Sequence, residues 1–194
     1  MSEQINSGRR KIVAVTAAAG ACAGVAAAVP FVATMLPSER AKAMGAPVEA
    51  DISVLAPGEM QILEWRGKPV WIIRRTKEML DSITKSDGNV ADPKSEVAQQ
   101  PVYATNAFRA IKDEFAVLVG VCTHLGCSPQ LKATGNGDMG AGWEGGFYCP
   151  CHGSKFDYAG RVYKGAPAPI NLEVPPYTHV SDTRILIGDD KKEA

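Results

Sequence analysis

Two short stretches hold nearly all the residues able to do chemistry: Cys122-Thr123-His124-Leu125-Gly126-Cys127 and Cys149-Pro150-Cys151-His152-Gly153-Ser154. They contain four of the five cysteines and two of the three histidines. Each supplies a Cys and a His within three residues, and each has one further Cys. A Cys₂His₂ set can hold a metal, but a structural zinc site would leave the two extra thiols without a purpose. Zinc ribbons also more usually pair C-x₂-C or H-x₃-H, and neither loop has the C-x-x-C spacing of a thiol–disulfide oxidoreductase. Two thiolates on one iron and two imidazoles on another suit a mixed-ligand 2Fe-2S centre. Neutral imidazole leaves such a centre less anionic, and easier to reduce, than an all-thiolate one. Chemistry alone leaves the ligand cysteine open in each loop: Cys122 or Cys127, and Cys149 or Cys151.

Loops that share a centre must be carried by elements that bring them together. Gln61–Trp65, Val70–Arg74, Phe115–Val121, Gly146–Tyr148, Arg161–Tyr163 and Arg184–Ile187 read as short strands between Gly, Pro and Asp clusters. Thr76–Ser86 reads as a helix with Met79, Leu80 and Ile83 on one face. Asp92-Pro93 has the form of a cap and first residue of a second short helix. Asn136–Gly146 is glycine-rich but lacks the Lys-Ser/Thr ending of a phosphate cradle, so it reads as the connection between the two loops. His179 lies apart from both loops and reads as an ordinary domain histidine.

At 194 residues the chain is about one domain by length. Its 21 basic and 21 acidic residues give no net charge, and so no electrostatic footprint for nucleic acid. Ile12–Leu36 carries no charge and, as a helix rising 1.5 Å per residue, is long enough to cross a bilayer. Arg9, Arg10 and Lys11 before it favour a cytoplasmic N-terminus and export of the residues beyond Leu36. Ser7-Gly8-Arg9-Arg10-Lys11 also resembles a twin-arginine export signal, with Ile12-Val13 where Phe-Leu is more usual. Ala41-Lys42-Ala43 would serve as a cleavage site, but the apolar run is longer than a signal peptide's 7–15-residue core, so it reads as a retained anchor. Cys22 inside it reads as a small apolar residue. Residues 1–11 are then a cytoplasmic N-terminus, 12–36 a transmembrane anchor, 37–50 a flexible neck or hinge, and 51–194 a periplasmic head. The cluster-binding part of that head falls at about 120–170.

With these motifs the sequence resembles the Rieske iron–sulfur subunit of the bacterial ubiquinol–cytochrome c reductase (cytochrome bc) complex. Trp65-Arg66-Gly67-Lys68-Pro69-Val70 resembles an early sheet segment of that family, and Gly160–Pro169 with Asn171-Leu172 its proline loop and following strand. The resemblance implies a mainly β fold: a transmembrane helix, a hinge, and an antiparallel β-sandwich with a small cluster-binding β subdomain. It implies one 2Fe-2S Rieske cluster, with Cys122 and Cys149 on the inner iron, His124 and His152 on the outer iron, and a Cys127–Cys151 disulfide clamping the loops. It implies that Ser154 donates a hydrogen bond to a bridging sulfide and that Leu125 packs at the tip near a quinol pocket. Phe156 stands where high-potential members carry a tyrosine that donates to a ligand sulfur, and phenylalanine cannot donate. The implied catalytic groups are His152 and His124, taking one electron and one proton from quinol, ubiquinol being the expected one. The implied partners are a cytochrome b subunit and a c-type cytochrome subunit in a dimeric complex of the bacterial inner membrane. Soluble Rieske ferredoxins and oxygenase components usually lack the second Cys of each loop. The Rieske subunit of a periplasmic oxidase such as arsenite oxidase shares the disulfide, but the Trp65–Val70 and Ala166–Pro169 segments argue against it.

Overall fold

The computed structural model describes residues 7–133, 139–140 and 142–189. The glycine-rich connection read at Asn136–Gly146 and the first part of the N-terminal segment therefore lie partly outside the described residues. The chain divides into two units, one running to Ala43 and one beginning at Met44.

The first unit is built on α1 (Ser7–Ala33), a 27-residue helix with no buried residue. At 1.5 Å per residue it is about 40 Å long, enough for a hydrocarbon core of about 30 Å. The threonine hydroxyls in it and just after it are satisfied by its own backbone, as an apolar medium requires. Thr16 donates to the Ile12 and Val13 carbonyls, and Thr34 to that of Phe31. The helix takes in the basic residues before the uncharged run and ends earlier than Leu36. Thr34–Leu36 form a turn, with N–H groups donating back to Pro30, Val32 and Ala33 carbonyls.

The neck read at 37–50 contains regular structure. A short helix, α2 (Glu39–Met44), is capped by Ser38 Oγ, which accepts from the Ala41 N–H at 3.1 Å. Residues 48–50 belong to the head, in strand β1 (Val48–Asp51). Their side chains alternate in exposure, a weak signal that only pairing with the chain's last strand turns into structure.

The sheets of the second unit are all antiparallel. One sheet orders β1, β9 (Arg184–Ile187) and β8 (Tyr177–Ser181), with Val48 opposite Ile187. A second orders β2 (Met60–Trp65), β3 (Lys68–Arg74) and β4 (Phe115–Val119), the first two joined by the tight Arg66-Gly67 turn. Val70–Ile73 and all of β4 are buried, so their unbroken apolar runs mark the centre of the structure. Both sheets feed one core, with Ile72, Ile73, Val117 and Leu118 from one and Ala50, Tyr177, Ile185 and Ile187 from the other. The third sheet is small: β5 (Gln130–Lys132), β6 (Gly146–Tyr148) and β7 (Lys155–Phe156). It docks through Phe147, whose ring stacks on Trp71 at 4.9 Å. Gly120, entering the first loop, lies so close to the Trp71 indole that a Cβ there would run into the ring.

Between β3 and β4 the chain makes a long excursion. It opens with α3 (Lys77–Lys85), capped by Thr76 and Ser86 and burying Ile83, as the periodicity predicts. Two expectations fail. Asp92-Pro93 starts no helix, because the Asp92 carboxylate closes a turn by accepting from Glu96 and Val97 N–H instead. Arg161–Tyr163 forms isolated bridges, Val162 to Phe156 and Tyr163 to Val90, because the Arg161 and Val162 N–H groups donate to the Asp157 and Asn171 side chains and not to a neighbouring strand. The fully buried Arg161 guanidinium bonds the Asp157 carboxylate at 2.7 Å, Asp87 at 2.7 Å, and the Ile83 and Pro93 carbonyls. That one side chain ties the excursion to the segment leaving the second loop. Arg109 does the same with the Ala159 and Leu172 carbonyls, while Arg75 bonds the Phe108 and Asp113 carbonyls within the excursion and reaches that of Tyr158 at 3.4 Å. Burial pushes the Arg75 and Arg109 guanidiniums down to about 10, so both remain charged at neutral pH.

Candidate metal centre

The two cysteine–histidine stretches fold as near copies of one backbone loop. In the first, Cys122 N–H donates to the Cys127 carbonyl at 2.7 Å and the Cys122 carbonyl accepts from Gly126 N–H at 2.9 Å. In the second, Cys149 N–H donates to the Ser154 carbonyl at 2.8 Å and the Cys149 carbonyl accepts from Gly153 N–H at 2.9 Å. Both loops thus close at the fifth residue after the opening cysteine and turn back at a glycine in the fourth, at φ 86° for Gly126 and 77° for Gly153. That left-handed backbone is open to glycine without strain. β4 delivers the first loop, and the β6–β7 hairpin carries the second.

The side chains sort by depth. Cys122 and Cys149 are buried free thiols, whereas His152 is exposed and His124 half-buried. The two imidazoles meet edge to face, their ring centres 4.7 Å apart. Cys127 and Cys151 are joined as a disulfide, their Cα atoms 6.6 Å apart. Closing a loop of 24 residues restrains the unfolded chain by about 3 kcal/mol in the entropic account. The Cys127, Cys149 and Cys151 sulfurs lie within 4.8 Å of one another, but the bond between two of them removes that triplet as a metal-binding set. Burial pushes the Cys122 thiol up; the His124 N–H and the Ser154 hydroxyl act against it, and the facing Cys149 thiol adds to it. A cation at this spot would offset the cost of holding thiolate there.

A third segment closes the site. Ser154, fully buried, accepts from Ala168 N–H at 3.0 Å through the same hydroxyl that donates toward Cys122. Thr123 donates to the Ile170 carbonyl at 2.6 Å. The proline loop is therefore pinned to both cysteine loops, one bond to each. Leu125 projects from the tip at 71% exposure. Phe156 is fully buried opposite Phe147. His179 packs in β8 against the Phe115 and Tyr177 rings, apart from the other two histidines. The buried Arg75, Arg109, Arg161 and Asp157 behind the second loop escape sequence reading, since no spacing marks a charge that will be buried on backbone carbonyls.

The profile of the Rieske [2Fe-2S] domain matches residues 47–177. The chain belongs to the Rieske family. Its Rieske relatives include the ubiquinol–cytochrome c reductase iron–sulfur subunit of Allochromatium vinosum, 54% identical over 187 residues and covering 96% of this chain and 90% of that one. The subunit of the same name from Bradyrhizobium diazoefficiens is 42% identical over 174 residues, covering 89% of each chain. Among solved structures, a chain of a hyperthermophilic respiratory Complex III superposes with a TM-score of 0.51 at 28% identity, covering 90% of this chain and 98% of that one. This Rieske chain is thus of the ubiquinol–cytochrome c reductase iron–sulfur kind, its cofactor is a 2Fe-2S cluster, and α1 fits a single-pass anchor. The donor set fits the group: two facing buried thiols, two outward imidazoles and a buried hydroxyl directed at one of the thiols.

Proposed function

We propose that this chain is the electron-accepting subunit of quinol–cytochrome c oxidoreductase, taking one electron and one proton from quinol and passing the electron to a c-type cytochrome. The observation that carries the reading is the depth order of the site, thiols inside and imidazoles at the surface. Cys122 and Cys149 would hold the inner iron, and His124 and His152 the outer one. When bound, the cluster supplies one-electron redox chemistry at a raised potential, because its histidine ligands are neutral. His152, the more exposed imidazole, accepts the quinol hydroxyl's hydrogen bond and then its proton on the ring nitrogen that faces outward. Leu125, projecting from the tip, lies against the quinol pocket, while the proline loop backs the sulfur side. The buried thiolates and Ser154 stay inside, so proton exchange is confined to the imidazole edge.

The head would take the electron to its acceptor by moving on the segment between the anchor and β1, residues 37–47. Arg9, Arg10 and Lys11 favour an N-terminus in the cytoplasm and a head in the periplasm, where a disulfide persists. A cytochrome b subunit takes the second quinol electron, and the complex is dimeric, couples quinol oxidation to proton translocation, and uses ubiquinol. The test is purification of the full chain from its native membrane, followed by haem analysis and a cytochrome c reduction assay with ubiquinol. Co-purifying b- and c-type haem with quinol-dependent reduction is the expected result. A molybdenum-containing partner without b-type haem would overturn the reading.

A further inference from the structure

Three sulfurs meet at the base of the site, where the disulfide needs two. The Cys127, Cys149 and Cys151 Sγ atoms are all within 4.8 Å of one another. Cys127 and Cys151 are bonded, while Cys149 is a buried free thiol beside that bond. Cys122, the other buried free thiol, stands outside the triplet. A thiolate that reaches a disulfide attacks one sulfur, forms a new S–S bond and expels the other sulfur as thiolate. The exchange is redox-neutral and needs no oxidant.

We propose that Cys149 is a built-in exchange partner of the Cys127–Cys151 disulfide, and that ligation of Cys149 to iron is what keeps the native pairing. This inference rests on the ligand assignment proposed above. The favoured direction follows from exposure. Attack of Cys149 on the Cys127 sulfur expels Cys151, which is solvent-exposed, so the departing thiolate is hydrated. Attack on the Cys151 sulfur would expel the half-buried Cys127 thiolate and close a bond across Pro150 alone. The product carries a Cys127–Cys149 bond and a free Cys151, and it has lost one thiolate ligand. Bound to iron, the Cys149 sulfur is no longer a free nucleophile. The order of assembly is then constrained: a disulfide formed before Cys149 is ligated is open to rearrangement, and one formed after it is locked.

The full chain in detergent, with its cluster and after removal of iron by a chelator, would be incubated without added thiol. It would then be quenched in acid, alkylated with N-ethylmaleimide, and mapped by mass spectrometry of disulfide-linked peptides. The iron-free chain is expected to yield the Cys127–Cys149 peptide with maleimide on Cys151. The loaded chain and iron-free Cys149→Ser chain should yield only Cys127–Cys151. Exclusive Cys127–Cys151 pairing in the iron-free wild-type chain would overturn the proposal. So would exchange engaging Cys122 as readily as Cys149, since that is scrambling of an unfolded chain; neither result touches the ligand assignment. Exchange at Cys149 in the loaded chain would overturn both.

Discussion

The two cysteine–histidine loops share a backbone and divide a task. Each begins with a buried cysteine; counted from the residue after it, each turns at a glycine in the fourth position and closes at the fifth. They differ in what fills the remaining places. The first puts its histidine at the second position and a cysteine at the fifth. The second puts a cysteine at the second, histidine at the third and serine at the fifth. Because the frames match, these offsets alone bring thiols to thiols inside, imidazole to imidazole outside, and the spare cysteines into bonding range. The fifth position shows what the difference is for. Cys127 there binds the other loop covalently, whereas Ser154 leaves a hydroxyl that bonds the proline loop and points toward Cys122.

The strongest way to break this comparison is to remove the shared opening cysteine. Cys122→Ala and Cys149→Ala should each abolish the cluster, since neither loop has a second free thiol to substitute. Iron content and the low-temperature electron paramagnetic resonance signal of the reduced protein should vanish equally in both. A cluster retained in one variant would mean that the loops do not contribute symmetrically.

The supports of the loops are not symmetric. The second loop leads straight to Asp157, which among the described residues is the only buried acid and stands with three buried arginines. Asp157→Asn leaves the Arg161 charge without its buried partner, and losses from such broken pairs run about 3–5 kcal/mol. Asp87, half-exposed, still holds Arg161 and keeps the cost near the lower end. A urea unfolding midpoint measures it, and a change under about 1 kcal/mol, the scale of a surface ion pair, would assign the pair a surface-like weight. The cross-link between the loops comes next. Cys127→Ser and Cys151→Ser should each lower stability by up to about 3 kcal/mol while keeping all four ligands, giving a cluster that is lost faster and has a lower potential. Full occupancy with wild-type turnover in both would reduce the bond to a passive link.

Smaller effects sharpen the comparison around the fifth position. Reduction adds negative charge to the iron–sulfur core, so a hydrogen-bond donor stabilises the reduced state more than the oxidised one. Ser154→Ala should lower the midpoint potential, and Phe156→Tyr should raise it if the phenol reaches a ligand sulfur. A hydrogen bond to a charged group nets about 1.5–3 kcal/mol, only part of which distinguishes the redox states. With 59 mV equal to about 1.4 kcal/mol for one electron, the shifts should be tens of millivolts to about 100 mV. Protein-film voltammetry reads both. An unchanged potential in Phe156→Tyr with the cluster intact would detach Phe156 from the tuning position.

Legibility followed how local each determinant is. The cysteine–histidine loops were readable because two short stretches within thirty-odd residues hold four of the five cysteines and two of the three histidines. The disulfide partner was not readable from spacing and came only with the family resemblance. Gly146–Tyr148 and Arg184–Ile187 were read at their observed bounds, and α3 between its observed caps, because their pattern and capping residues are local. Strands β1, β5, β7 and β8 were missed. They run two to five residues with mixed polarity, and distant partners make them strands. Arg161–Tyr163 shows the reverse: β-prone residues whose backbone N–H groups are claimed by the distant Asn171 side chain and by Asp157, leaving single bridges.

The account rests on an outward imidazole that carries the proton, and the pH dependence of the midpoint potential tests it most directly. An imidazole that takes up a proton together with the electron makes the potential depend on pH. Voltammetry of the full chain in detergent should show a potential that is flat at low pH and then falls by about 59 mV per pH unit for one proton per electron. A potential independent of pH far into the alkaline range would contradict an imidazole proton acceptor at this centre.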